Sequence, residues 1–152
     1  MALHFLKTEF QDREKLVIHS LRRKNLDALL IFRQESMYWL TGYDTFGYVF
    51  FQCLILTTKG EKILLTRTPD LRQAQNTSII KDIRIWIDKE GHSPSEELKK
   101  ILMELNLANK NLGVEYESYG LTGRNTLQLN KSLENFNLQD ESFLISRLRL
   151  IK

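Results

Sequence analysis

Leu26-Asp27-Ala28-Leu29-Leu30-Ile31-Phe32 runs directly into Arg33-Gln34-Glu35-Ser36 and then into Met37-Tyr38-Trp39-Leu40-Thr41-Gly42-Tyr43-Asp44. The apolar residues after Asp27 follow one another without polar alternation, which describes a strand buried on both faces. Such a strand, predicted over residues 27–32, belongs at the centre of a layered α/β sheet. The polar break at residues 33–36 ends it, residues 37–40 make a short turn or helix, and Gly42 opens a loop.

Upstream, residues 8–24 form a helix: Phe10, Val17, Ile18 and Leu21 recur on one face, and Thr8 and Gln11 have capping-box spacing. Arg22, Arg23 and Lys24 suit the negative end of its dipole, and Asn25 takes the left-handed conformation that ends it. Downstream, residues 48–57 and 61–67 are strands joined by Thr58-Lys59-Gly60, a connection short enough to imply an antiparallel hairpin. The sheet is therefore mixed. A short helix starts at Pro69 and runs to Gln75, and Ile83, Ile85 and Ile87 alternate with Arg84 and Trp86 as in a half-exposed strand. Ser93 and Glu96 make a second capping box around Pro94, and Leu98, Ile101, Leu102 and Leu105 carry that helix onward. A strand at residues 112–116, a helix at 121–133 and a last short strand at 143–145 follow. No repeat or flexible linker interrupts this order. It describes one α/β domain over residues 1–152, a three-layer mixed sheet flanked by helices. Residues 146–152 alternate apolar and basic side chains without a helix stop or a polar tail, which predicts that the natural polypeptide continues past Lys152.

Composition narrows the class. The 152 residues carry 22 Lys and Arg against 19 Asp and Glu, a formal charge of +3, and are 42% hydrophobic and 27% charged. That is the balance of an ordinary globular domain and excludes disordered and collagen-like chains. Apolar runs such as Cys53-Leu54-Ile55-Leu56 fall far short of the ~20 residues of a membrane span, and residues 1–7 lack the apolar core of a secretory signal. No membrane association is expected. A pI near 9.0 invites a nucleic-acid reading, but so small a basic excess is a weak electrostatic footprint. Cys53 has no partner for an internal disulfide, and a reducing cytoplasm is the expected compartment.

Catalytic motifs are absent. His4, His19 and His92 lie far apart and match no pattern that sets two metal ligands on one helical face. His19 reads as a polar-face residue of the first helix and His92 as a loop residue before a cap. Cys53 lies in an apolar strand, where its thiol behaves as a small hydrophobe. Ser36 and Ser142 lack the surroundings of a nucleophilic serine, and no phosphate-binding glycine motif occurs. Gly120-Leu121-Thr122-Gly123 matches the G-x-x-G of some RNA-binding loops, but a strand precedes it here, so a turn and helix cap is the expected role. One stretch stands out: Tyr38, Trp39, Tyr43, Phe46 and Tyr48 crowd a segment broken by Gly42 and Gly47. Glycines permit tight turns, and Tyr and Trp join apolar bodies to polar tips, as recognition surfaces do. A binding loop and a wrapped corner of the core both fit this composition.

The helix containing Arg13 and Leu21, the run Leu26-Asp27-Ala28-Leu29-Leu30, the segment Met37-Tyr38-Trp39-Leu40-Thr41-Gly42-Tyr43 and the following hairpin together resemble the amino-terminal domain of the creatinase/prolidase superfamily. That superfamily includes Xaa-Pro dipeptidases, aminopeptidase P and creatinase. Leu148-Arg149-Leu150-Ile151-Lys152 resembles the segment through which the family's chain leaves this domain, so the similarity spans essentially the whole sequence. The resemblance implies a mixed sheet related to the ribonuclease H-like fold. It also implies a carboxy-terminal catalytic domain of the pita-bread fold, absent from this chain, whose Asp, Asp, His, Glu and Glu ligands hold two divalent metal ions, Mn, Co or Zn. There a metal-bound water attacks the scissile carbon, so this domain alone is expected to be inactive. A nuclease of the ribonuclease H type fails on inventory, because the first strand offers only Asp27 at its edge.

In the family, this domain helps build a homodimer and lends side chains to the pocket for a small peptide or small-molecule substrate. By position the resemblance carries over Tyr43, Asp44, Phe46 and Tyr48 as substrate-binding candidates, with Arg67 as an anion-binding candidate or an exposed strand-end arginine. Creatine-cleaving members carry an arginine near the position of Phe50, so a creatine substrate is disfavoured. The leading expectation is a non-catalytic domain of an Xaa-Pro peptidase-like metallohydrolase, partnered by its own catalytic domain. The alternative is a stand-alone module that binds nucleic acid or protein.

Overall fold

The computed structural model describes residues 3–150. In chain order the elements are α1 (Lys7–Arg23), β1 (Ala28–Ile31), α2 (Gln34–Thr41), β2 (Cys53–Thr57), β3 (Lys62–Arg67) and α3 (Thr68–Thr77). They continue with β4 (Asp82–Trp86), α4 (Pro94–Glu104), β5 (Asn111–Val114), α5 (Gly123–Ser132), β6 (Asn137–Asp140) and α6 (Leu144–Arg149). The strands form one six-stranded sheet in the order β4-β3-β2-β1-β5-β6. β2 is antiparallel to both β1 and β3, whereas the β1–β5, β3–β4 and β5–β6 pairs are parallel. The mixed sheet and the central place of the all-apolar strand are as the sequence predicts.

β1 shows why the domain has three layers. Side chains alternate across a strand, so Ala28, Leu30 and Phe32 enter one core with Leu98, Ile101 and Leu102 of α4 and Leu129 of α5. Leu29 and Ile31 enter the other, with Val17 and Leu21 of α1, Met37 and Leu40 of α2, Ala74 of α3 and Leu144 and Ile145 of α6. Both faces are covered, which is the condition for an uninterrupted apolar strand.

Four local expectations need correction. Thr8 already lies within α1; the helix starts after Leu6, whose N–H donates to the Glu9 carboxylate at 3.1 Å. Ser93 does sit at the N-cap of α4 without a capping bond from its side chain. Its hydroxyl pairs with that of Ser95 at 2.8 Å, and Glu96 accepts from Ser132 of α5 at 2.7 Å, so these groups tie two helices together instead. The strand expected from residue 48 begins only at Cys53, because a turn precedes it, with the Phe50 N–H donating to the Gly47 carbonyl. The last strand is Asn137–Asp140, not residues 143–145, and Leu144–Arg149 is a helix. The edge strand is largely exposed and polar, so it lacks the apolar alternation that marks a strand. Leu144, Ile145 and Leu148 pack at helical spacing into the second core. Asn25 is left-handed at φ 56° as expected, and Ile151 and Lys152 of the terminal run lie outside the described residues.

Candidate functional site

The aromatic segment resolves into an inner and an outer row. Gly42 ends α2 at φ 82°, where an added Cβ would stand 2.7 Å from the Thr77 carbonyl oxygen. Beyond it Tyr43, Thr45 and Gly47 are buried, while Asp44, Phe46, Tyr48, Val49 and Phe50 face outward. The Tyr43 hydroxyl donates to Gln52 Oε1 at 2.7 Å, and burial pushes its pKa up to about 12. Thr45 donates to Asp70 Oδ1 at 2.7 Å and accepts from the Gly47 N–H at 3.1 Å. A side chain at Gly47 would run into the Asp70 carboxylate. Arg67 completes this brace, pairing with Asp70 at 3.2 Å while its guanidinium lies 3.5 Å from the centroid of the Phe50 ring. On the outer row Phe46 is 94% exposed.

Beside the loop, a cleft of 310 Å³ is lined by Arg33, Gln34, Glu35, Tyr48, Glu117, Ser118 and Tyr119. Tyr48 and Tyr119 meet edge to face with centroids 5.8 Å apart. Gly120 lets the two loops touch, since a Cβ there would lie 2.6 Å from the Phe50 carbonyl oxygen. Ser118 fixes its own loop by donating to the Phe32 carbonyl and accepting from the Gly120 N–H. Behind the cleft, the fully buried Glu115 accepts from the backbone N–H groups of Phe32 and Arg33, both at 3.1 Å, and from Ser36 Oγ at 2.6 Å. These donors cluster at the start of α2, where N–H groups lack helical partners. Burial is the largest influence on this carboxyl and raises its pKa to about 7 despite those bonds.

The five candidates named from sequence therefore occupy different positions. Phe46 and Tyr48 are exposed neighbours on the outer row, and Asp44 is exposed at its start. Tyr43 is fully buried beneath the loop, and Arg67 is neither exposed nor free but paired with Asp70. Glu115, Tyr119 and Asp70 carried no signal in the sequence beyond their types. A lone glutamate directly after the apolar run Leu112-Gly113-Val114 was the one available hint. Of the residues considered and set aside, His19 and His92 are exposed. Cys53 is buried, which pushes its thiol pKa well up. The G-x-x-G segment is a helix start, with Thr122 Oγ1 accepting from the Asn125 N–H. Among the described residues no three His, Cys, Asp or Glu side chains are grouped to hold a metal ion. No helix among them is long and apolar enough to cross a membrane.

Comparison with known proteins places this architecture. Residues 13–151 match the family model described as the creatinase/prolidase N-terminal domain. The chain belongs to that family. It is 28% identical over 157 residues to an uncharacterized hydrolase/peptidase of Sinorhizobium fredii, covering 99% of this chain and 40% of that protein. Among solved structures, an Xaa-Pro aminopeptidase of Streptococcus pyogenes superposes with a TM-score of 0.74 at 19% identity, covering 95% of this chain and all of that one. A dipeptidase of Pyrococcus horikoshii gives a TM-score of 0.72 at 26% identity, over 92% of this creatinase/prolidase-type domain but only 37% of the dipeptidase chain. The domain thus spans about 40% of the length of the curated relatives it matches, as an amino-terminal domain of this family.

Proposed function

We propose that this domain serves an Xaa-Pro dipeptidase- or aminopeptidase-like metallohydrolase of the cytoplasm by helping to form a homodimer and by supplying one wall of the substrate pocket. The observation that carries this reading is the outer row of the aromatic loop. Phe46, Tyr48, Val49 and Phe50 stand 94%, 43%, 48% and 42% exposed in a domain whose two cores are already closed. A contiguous apolar surface of this kind marks an interaction or ligand-binding site. It is held from beneath by the buried Thr45–Asp70 bond and the Arg67–Asp70 pair, which is the preorganisation that a pocket wall needs. An aromatic wall suits a proline-containing peptide or a cyclic small molecule, with Asp44 at its edge. Phe50 stands where an arginine would favour a creatine-like carboxylate. The divalent metals, Mn, Co or Zn, and the residues that activate water belong in this reading to the catalytic domain, and the lone buried cysteine suits a reducing compartment.

Xaa-Pro dipeptide hydrolysis assayed on these 152 residues with added Mn, Co or Zn tests the division of labour. No turnover above the metal-only blank is expected, and metal-dependent turnover overturns it. Light scattering over a concentration series tests the exposed face: self-association that Phe46→Ala weakens is expected, and a strict monomer throughout counts against a role in assembly.

A further inference from the structure

The cleft beside the loop has a topological origin. β1 and β5 are parallel neighbours. The chain leaves β1 into α2, which packs on one face of the sheet, and leaves β5 towards α5, which packs on the other. Parallel neighbours whose connections depart to opposite faces open a crevice at their carboxyl ends, and ligands of open α/β sheets bind there. In this domain the crevice is the space between Arg33, Gln34 and Glu35 on one side and Glu117, Ser118 and Tyr119 on the other.

The chemistry of its lining selects a ligand class. A helix start ordinarily attracts an anion, but at α2 the chain's own Glu115 already takes that place. Arg33 is engaged as well, lying 3.5 Å from Glu35 and donating to Ser146 at 3.0 Å. What remains open is the Glu117 carboxylate, which enters no ion pair among the described residues, together with the Tyr48–Tyr119 pair. Those rings stand 71° apart and form a corner. Carboxylate beside aromatic faces is the arrangement that holds an organic cation. The same fold already lays Arg67 over Phe50 at 3.5 Å and Arg13 over Phe5 at 4.3 Å.

We propose that the cleft binds an ammonium or guanidinium group, with Glu117 as its counter-charge, Glu35 at its margin, and the rings of Tyr48 and Tyr119 as its walls. Use of the site for a cationic part of a peptide substrate rests on the pocket reading above; the binding itself does not. Titration of the isotope-labelled chain with methylguanidinium, methylammonium and neutral N-methylacetamide, followed by amide NMR, tests it. Saturable shifts confined to residues 33–35, 48 and 117–120 are expected with the two cations and not with the amide. Glu117→Gln and Tyr119→Leu, both at exposed positions and each checked for folding by circular dichroism, should weaken binding about tenfold. Equal response to the neutral amide, absence of saturation, or undiminished binding in both folded variants overturns the proposal. Arginyl-proline and alanyl-proline then separate the sources. Preference for the first assigns a side-chain cation and equal binding assigns the α-amine. Silence of both peptides while methylguanidinium still binds sinks the substrate role and leaves the cation site standing.

Discussion

Two buried carboxylates hold the two halves of the candidate site, and they do so by opposite electrostatic means. Under the aromatic loop, Asp70 has a cation: Arg67 reaches it at 3.2 Å, and Thr45 adds a hydroxyl donor. Behind the cleft, Glu115 has, among the described residues, only two backbone N–H groups and the Ser36 hydroxyl within bonding distance. Charge on Asp70 is neutralised by pairing, whereas burial makes charge on Glu115 costly enough to move its pKa into the neutral range. One half of the site is thus braced by an ion pair and the other by a carboxyl whose burial brings its pKa near neutrality.

The largest effect that sharpens this contrast is expected at Glu115. Glu115→Ala strands the buried Phe32 N–H, the half-buried Arg33 N–H and a buried hydroxyl, and at about 1–3 kcal/mol for each unsatisfied group the loss should be about 4 kcal/mol, read as a drop in the urea midpoint. The titration itself comes next. A carboxyl whose folded pKa, about 7, lies above its ordinary 4.5 binds more protons folded than unfolded between those values. Stability therefore falls as pH rises through that window, by about 3 kcal/mol in total, and levels off above it. Denaturation from pH 4 to 8 measures this, and Glu115→Gln, which keeps an amide of the same shape, should remove Glu115's share of the slope. An unchanged slope in that variant refutes the assignment to Glu115.

How much of this was legible before folding follows the same division. Residues 27–32 announce a central strand because burial on both faces leaves no polar position, and the hairpin follows from Thr58-Lys59-Gly60. α4 was equally plain, from Leu98, Ile101 and Leu102 at helical spacing. Asn137–Asp140 was not, because an edge strand facing solvent carries no apolar alternation, and Leu144–Arg149 was too short for its helical spacing to stand out from a strand. The aromatic segment was visible as composition, but its sorting into an inner and an outer row depends on Asp70, which bonds Thr45 twenty-five positions earlier as well as its near neighbour Arg67. Glu115 showed only as a lone glutamate after an apolar run, and its partners were hidden for the same reason. Its three donors come from residues 32–36, some eighty positions earlier, and only the parallel pairing of β1 with β5 brings them together.

Smaller effects are expected under the loop. Asp70→Ala leaves the half-buried Arg67 without its counter-charge and removes the acceptor for Thr45. Because the guanidinium retains Phe50 and some access to water, the loss should be about 2 kcal/mol, below that at Glu115. Thermal unfolding of the two alanine variants side by side gives this order, and a larger loss at Asp70 would break the comparison as drawn.

The smallest effect completes it. Phe46, at the apex of the outer row, is 94% exposed, so its ring hides almost no surface from water in the folded domain and its removal creates no cavity. Phe46→Ala should leave stability within about 0.5 kcal/mol of the parent, whereas truncating Asp70 beneath it should cost about 2 kcal/mol. A large exposed aromatic with no part in stability, mounted on buried groups that do have one, is what a surface built for contact looks like. If denaturant midpoints instead show Phe46→Ala to be as destabilising as Asp70→Ala, the ring packs within the domain in solution, and the distinction between brace and contact surface is lost.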